Sequence, residues 1–424
     1  MPPLPPFPAG QSFRAQGKLM LTGEYLVLDG AKALAVPTKP GQRLEVAVTN
    51  SPDVLHWESV DVYGKVWFEA AYTRKGLRTR PAAVERSPKA RLARLLNDIF
   101  TAHPLIWPRG RGLQFRATLE FDRTWGLGSS ATLSYLLAAF AGANPYAINN
   151  KEFGGSGYDI ACAGADGPIV YQLMKGEPIV ERLDWNPAWL EGCYLVHLGQ
   201  KQDSREGIRN YRENAGSDLY RYAEELNDLT DALIKASDRD TAAEVLRKHE
   251  ALVGYVTHQT PVGKGLFADF NGTVKSLGAW GGDFVLAVPT GQMDVAGYFA
   301  SHGLTTCIAA KDLLVLPTSK VPIDNADPAD WPVFLYGPLS EPRMDNQWLH
   351  GHLHHAADLL DHMIIDNYSA APIPHRGGVV PGMLVYLSPE EILAMDIHPE
   401  GGPFKRSHAR VRVGGTMVTA LVWK

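Results

Sequence analysis

Three short stretches of this 424-residue chain bring together residue types suited to phosphate chemistry. "GLGSSATL", Gly126 to Leu133, sets glycines and two hydroxyls between an alternating apolar run and a small, apolar one. Exposed amides and hydroxyls converging at a helix start suit phosphate oxygens, and Ser129 and Ser130 suit a bound Mg²⁺ as well. "QGKLMLTGEYLVLDG" places Lys18 on a strand with Glu24 following, and "GGSGYDIACAGADGPIVY" places Asp159 in a glycine-rich bend. A carboxylate at the reacting oxygen of an acceptor, with an ammonium beside it, is what base-assisted group transfer requires.

Taken alone, the glycine loop allows a dinucleotide turn, a triphosphate cradle or a turn without a ligand. A dinucleotide site expects a strand ending in an acidic residue about 20 positions on. That distance falls in "NPYAINNKEF", which reads as polar and turn-like. No G-x-x-x-x-G-K-[ST] string occurs, so a Walker loop is excluded.

The elements that must hold these residues mix strands and helices, which indicates an α+β or two-layer α/β fold. From Ser12 to about Val46 the text alternates apolar and polar positions, with Gly30 marking a hairpin. "PKARLARLLNDIF" has helical spacing and "LQFRATLEFD" strand spacing. A long helical zone runs from about Glu206 to Tyr255 and breaks at Pro261; a glycine-bearing strand, "SLGAWGGDFVLAVP", follows. "PTSKVPIDNADPADWP" has no periodicity and reads as a linker.

Composition limits the function classes. The length exceeds one ordinary core of about 100 to 200 residues, and a net charge of −5 provides no basic field for nucleic acid. Cys162, Cys193 and Cys307 lack paired or metal-ligand spacing, so structural thiols in a reduced, cytoplasmic setting are expected. "MPPLPPFPAG" reads as a disordered lead-in over residues 1–11 rather than a signal peptide, and no apolar run reaches the roughly 18 residues of a membrane span.

Read together with the late glycine turn "SLGAWGGDFVLAV", the three stretches resemble the GHMP kinase superfamily, and within it the branch carrying a "GYDIA" motif, close to mevalonate and phosphomevalonate kinases. The resemblance covers about 12–316. It implies an α+β fold with a ribosomal S5-like N-terminal half over 12–200, which binds ATP, and a ferredoxin-like half over 201–316. It further implies that Gly126, Leu127, Gly128, Ser129, Ser130 and Ala131 wrap the triphosphate of ATP, that Ser130 helps hold Mg²⁺, and that Asp159 is the catalytic aspartate with Lys18 beside it. Glu24, Ser156 and Gly157, with Ser204 and Arg205 at the entrance to the helical zone, fall on the substrate side. The spacing from Glu152 to Asp159 does not match the mevalonate kinase pattern, and Glu152 is left out. Cations for an acceptor phosphate are Lys18, Arg205 and Arg209, with Lys201 and Lys264 behind them, a set that does not choose between alcohol and phosphate acceptors.

After the linker at 317–331, eight of the fourteen histidines fall in the remaining residues. "PVFLYGPLSEP" and "LVYLSPEEILAMDIHPEGG" resemble the γ-glutamylcyclotransferase-like family, which implies a small β-barrel over 332–424. The matching positions are Tyr336, Gly337, Pro338 and Leu339 for the carboxylate end of the substrate, and Glu400 as general acid/base. Pro338 removes an amide from that loop, and "MDIHPEGG" is one residue longer than the family's signature. Ser388 and Glu391 form a capping box. His350 and His354 would stand i, i+4 on a helix but lack the flanking acid of an H-E-x-x-H zinc motif, so packed or solvated histidines are expected.

The leading expectation is therefore an ATP- and Mg²⁺-dependent small-molecule kinase fused to a cyclotransferase-like domain, without nucleic-acid or membrane partners and with a homodimer left open. A kinase for another small alcohol, such as homoserine or a sugar, or a metabolite-binding protein with its tail as an interaction module, is the alternative.

Overall fold

The computed structural model describes residues 10–199, 204–214, 218–278, 280, 283–317, 331–336, 354–363, 373–387, 406–413 and 416–423. The chain divides into two compact units, Met1–Leu316 and Pro317–Lys424.

In chain order the first unit contains β1 (Gln11–Met20), β2 (Ala33–Thr49), β3 (Val54–Val60), β4 (Val66–Thr73), α1 (Arg74–Leu77), α2 (Pro88–Ala102), β5 (Gly112–Leu119), α3 (Ser129–Ala141), α4 (Pro145–Glu152), α5 (Tyr158–Ala163), β6 (Ile169–Met174) and β7 (Glu177–Arg182). It continues with β8 (Tyr194–His197), α6 (Ser204–Asn214), α7 (Leu219–Lys235), α8 (Arg239–Thr257), β9 (Gly272–Ser276), β10 (Phe284–Pro289), α9 (Val295–Ser301), β11 (Cys307–Ala309) and α10 (Ala310–Leu313).

The first sheet runs β4-β3-β5-β2-β6-β7 with β1 paired to β2. Its 17-residue β2 is long enough to pair with β1, β5 and β6 at once. All pairs are antiparallel except β3 with β5. The second sheet, β11-β8-β10-β9, is antiparallel throughout.

Apolar side chains fix the layers. Trp57 and Phe115 of the first sheet pack with Leu95 and Leu96 of α2 and Leu136 and Leu137 of α3. A separate core joins Leu34, Leu119 and Phe121 to Leu195, Leu233, Leu246 and Leu286, and so ties the two sheets together. Leu127, in the middle of the glycine loop, is fully buried in that second core and anchors the loop from behind. Burying a leucine side chain contributes about 1.5–3 kcal/mol, enough to hold a short loop in place.

Helix starts divide into two kinds. Side chains of Ser87, Asn144, Asp238 and Asp294 cap α2, α4, α8 and α9. In contrast, α3 and α5 begin at Gly128 and Gly157, both left-handed, without a side-chain cap. First-turn amides that no side chain satisfies must find another partner.

Several sequence expectations need correction. "NPYAINNKEF" is not a turn but α4, with Asn144 as cap and Pro145 at the first position; the same two residue types signal turns and helix starts. The region about 20 positions beyond the glycine loop thus contains no strand at all. Asp159 lies in the first turn of α5 rather than in a bend. The helical zone is three helices, and "SLGAWGGDFVLAVP" spans the end of β9 and all of β10.

In the second unit, β12 (Trp331–Tyr336), β13 (His354–Met363), β14 (Ile373–Leu387), β15 (Arg406–Val413) and β16 (Thr416–Trp423) form a closed sheet in the order β12-β14-β13-β15-β16. Its interior holds Phe334, Leu359, Val380, Leu384, Val411 and Val422. His354 and His355 pair with Val385 and Leu384 on β14, so this stretch is a strand and not the helix that the histidine spacing suggested. Ladder pairing and the apolar interior outweigh a weak helical spacing. His350, His352, Ser388 and Glu391 lie outside the described residues. Among the described residues, no helix is long and apolar enough to cross a membrane.

Candidate active site

A cavity of about 520 Å³ opens in the first unit, and the three stretches line it together. The whole loop Gly126–Ala131, Lys18, Glu24, Ser156 and Asp159 contribute to its wall. Gly157 is the residue that starts α5, directly after Ser156.

Strand β1 delivers Lys18. Its register against β2 shifts between Gln16 and Gly17, and beyond that irregularity the Lys18 amide donates to the Leu127 carbonyl at 3.1 Å. The Lys18 ammonium donates to the Gly126 carbonyl at 2.9 Å and stands 5.6 Å from the centre of the Tyr158 ring. Burial works against its charge, but Tyr158, Asp283 and Asp159 outweigh that and raise its pKa above the ordinary lysine value. Lys18 is therefore a permanent cation at neutral pH, suited to stabilising negative charge on a transferring group.

Gly126 and Gly128 are glycines for geometric reasons. Their φ angles are +67° and +88°, and a Cβ on Gly126 would lie 2.3 Å from Cγ of Asp283, while one on Gly128 would press on the Lys18 stem at 3.1 Å. With Gly128 as an uncapped start, Ser129, Ser130 and Ala131 form the first turn of a 13-residue helix facing the cavity. Such a terminus attracts anions through free amides and the helix dipole.

Asp159 is held by an amide: its Oδ1 accepts from Ile160 N–H at 3.0 Å. Burial pushes its pKa above the ordinary aspartate value, and Lys18 and the Ile160 amide only partly reverse this. A carboxylate with a raised pKa accepts a proton more readily, which favours a role as base.

Glu24 is more committed than the sequence suggested. It is 1% exposed and bonds the equally buried Lys275 of β9 at 2.5 Å. Lys275 also donates to Ser276 O at 2.7 Å and lies 3.8 Å from Glu250 of α8, whose carboxylate accepts from the Ser276 amide and hydroxyl. His249 accepts from Gly23 N–H at 3.1 Å, and burial holds its pKa well below the usual value, so it is neutral. Glu24 thus reaches the cavity from a largely occupied ionic cluster. One of its oxygens, Oε2, makes no hydrogen bond.

Glu152, set aside on spacing, is held by Arg94 in a buried bidentate pair with both bonds at 2.6 Å. Ser204 and Arg205 open α6, but their side chains lie outside the described residues, as does all of Lys201. From the same helix Ile208 reaches the cavity, and Tyr211 and Arg212 bond Asp29, which fixes α6 against the segment after Glu24. Arg209 pairs with Glu206 at 3.9 Å, and neither Arg209 nor Lys264 is on the cavity wall. Tyr336 ends β12; its side chain, and all of Gly337, Pro338, Leu339 and Glu400, lie outside the described residues.

Sequence reasoning missed several wall residues. Arg91 of α2, Arg123 just before the loop, Tyr25 and Asp283 all line the cavity. Arg123 stacks on Trp67 at 3.6 Å, and Tyr25, at φ 61°, carries a buried hydroxyl without a hydrogen-bond partner. A signal for Asp283 was present in "GGDF", an acid directly after glycines, but its target is more than a hundred residues away.

The donor set suits Mg²⁺ only in company with phosphates. No group of three His, Cys, Asp or Glu side chains able to hold a metal occurs among the described residues. Ser130 is exposed at the start of α3, and Mg²⁺ commonly retains water and phosphate oxygens for the rest of its shell.

No family model and no curated protein matches the chain. Solved structures do. The mevalonate kinase of Methanococcus jannaschii superposes with a TM-score of 0.51 at 14% identity, over 67% of this chain and 92% of that one. The phosphomevalonate kinase of Streptococcus pneumoniae, solved with phosphomevalonate and AMPPNP, gives 0.51 at 19%, over 66% and 93%. Over about two thirds of the chain, the α+β fold matches that of these two kinase structures. Both matches leave about a third of this chain uncovered, and neither speaks to the cyclotransferase-like resemblance of its C-terminal part.

Proposed function

We propose that the first unit transfers the γ-phosphoryl group of ATP to an oxygen of a small acceptor, mevalonate or phosphomevalonate before other alcohols. The observation that carries this reading is that Lys18, Asp159 and the uncapped start of α3 share one cavity. The loop amides and helix dipole would hold the phosphates of ATP, as the AMPPNP-bound relative's fold encourages. Asp159 would accept the proton of an acceptor hydroxyl while its oxygen forms a bond to the γ-phosphorus and the bond to the β–γ bridging oxygen breaks, releasing ADP. With a phosphate acceptor, already ionised, Asp159 would orient rather than deprotonate. Lys18 would balance charge on the transferring group. Ser130 would hold Mg²⁺, which neutralises phosphate charge when bound. Tyr25, Glu24 and Ser156 would face the acceptor, and the side chains of Ser204 and Arg205 would complete that end.

ATP consumption by the full-length protein over a panel of mevalonate, phosphomevalonate, homoserine and sugars tests the reading, with Asp159→Asn alongside. The variant should lose about 100- to 10,000-fold in kcat. Equal activity in the variant would remove Asp159 from the chemistry, and turnover with none of the acceptors would favour a binding protein.

For the second unit we propose a γ-glutamylcyclotransferase-like activity, with Tyr336–Leu339 binding the carboxylate end of the substrate and Glu400 as acid/base. Its support is the quoted motifs together with the five-stranded sheet that closes on itself. Release of 5-oxoproline from γ-glutamyl amines should vanish in Glu400→Gln; a parent protein that releases none would make this unit an interaction module.

A further inference from the structure

Gly126 is gripped from two directions. Its carbonyl accepts from the Lys18 ammonium at 2.9 Å, and its Cα faces the Asp283 carboxylate so closely that a Cβ there would lie 2.5 Å from either oxygen. Asp283 comes from the second sheet: it directly precedes β10, and its carbonyl accepts from Leu198 N–H at 2.9 Å, just beyond the end of β8. It is only 6% exposed yet lies on the cavity wall. A carboxylate so nearly dehydrated is costly unless a nearby cation offsets it. Besides its other contacts, Lys18 is such a cation, and the Asp283 charge favours the ammonium form of Lys18.

We propose that Asp283 is a positioning residue for phosphoryl transfer: from the second sheet it holds Lys18 seated on Gly126, and so keeps the phosphate loop in register with Asp159. This deepens the kinase reading, and its catalytic part rests on that reading. It also gives a reason for the acid after the glycines of "GGDF". Lys18 then has two carboxylate neighbours with different work. Asp159, at the start of α5, faces the reacting oxygen; Asp283 keeps the ammonium in place while the proton on Asp159 comes and goes.

Asp283→Asn keeps the shape and removes the charge. One readout needs no turnover: competitive labelling of lysines by a small acylating reagent across pH 8 to 11, followed by peptide mass spectrometry. Lys18 should label faster in the variant at a given pH, by about tenfold for each unit of pKa lost, while exposed Lys264 labels unchanged. Equal Lys18 rates in parent and variant would overturn the inference whether or not the protein is a kinase. The second readout is kcat. Asp283→Asn should lower it by up to about 100-fold, with a smaller change in the KM for ATP, and Asp283→Glu should recover part of it. In a Lys18→Met background the same substitution should add no further loss, because it acts through Lys18. Independent, multiplying losses would contradict the role. A parent without turnover removes the kinase reading and leaves the labelling result to decide the Lys18–Asp283 pairing. An Asp283→Asn chain too unstable to purify shifts the labelling comparison to Asp283→Glu, in which Lys18 must keep the parent's rate.

Discussion

Lys18 and Lys275 each feel the charge of two carboxylates, Lys18 that of Asp159 and Asp283, Lys275 that of Glu24 and Glu250. The second group is satisfied almost entirely from within, and of its members only Glu24 reaches the cavity wall. Lys275 is fully buried, with bonds to Glu24 and to the Ser276 carbonyl, and Glu250 is filled by the Ser276 amide and hydroxyl. The first group borders the cavity, where Lys18 donates to a loop carbonyl and Asp159 accepts from one amide. The same charges therefore do different work according to what satisfies them. A buried cluster whose bonds are nearly all internal cross-links α8, β9 and the segment after β1, whereas one that faces a cavity retains capacity for a ligand.

The largest effect that could break this comparison is a swap of outcomes between the two lysines. Lys18→Met should lower kcat by about 100-fold or more, with a smaller loss of stability than Lys275→Met because Asp159 and Asp283 border the cavity. Lys275→Met should leave Glu24 and Glu250 without their cation and cost about 3–5 kcal/mol of stability, seen as a lower midpoint in urea unfolding. If Lys275→Met were as stable as the parent, the buried cluster would not be the cross-link argued here.

A smaller, pH-dependent effect sharpens the contrast. Burial pushes Glu250 up to about 7, an effect that Lys275 opposes and the neighbouring Glu24 charge reinforces. A carboxyl whose folded pKa exceeds its unfolded value near 4.5 stabilises the fold fully below that lower value, and the contribution is lost as pH rises through about 7. Between pH 5 and 8 the parent should therefore lose more stability than Glu250→Gln, by at most about 3 kcal/mol. Because Glu24 is also raised and shares Lys275, the observed transition belongs to the pair. Parallel pH profiles for parent and variant would remove Glu250 from the titration.

What was legible in the sequence follows from how local each feature is. Strands β1, β2 and β5 and helix α2 announce themselves by period, and the loop Gly126–Ala131 by residues that only a left-handed turn and a helix start require. The Lys275–Glu24 bond spans 251 positions and has no local signature. Asp283 gains its meaning from a side chain that Gly126 lacks, which no window on the sequence contains. Arg91 and Arg123 line the cavity, yet nothing in their local sequence distinguishes them from solvated helix and loop arginines. The misreading of α4 has a different origin. Asn144 and Pro145 carry the same conformational preferences into a turn or into a helix cap, and only packing against α2 and α3 selects between them.

The central claim is that the cavity of the first unit joins a phosphoryl group to an acceptor oxygen. Its most direct test is the mass of the acceptor recovered after incubation with ATP and Mg²⁺, quantified against ADP, for the parent and for Asp159→Asn. The account predicts phosphorylated mevalonate or phosphomevalonate in a one-to-one ratio with ADP from the parent and almost none from the variant. ADP accompanied only by inorganic phosphate, or equal product from the variant, would contradict it.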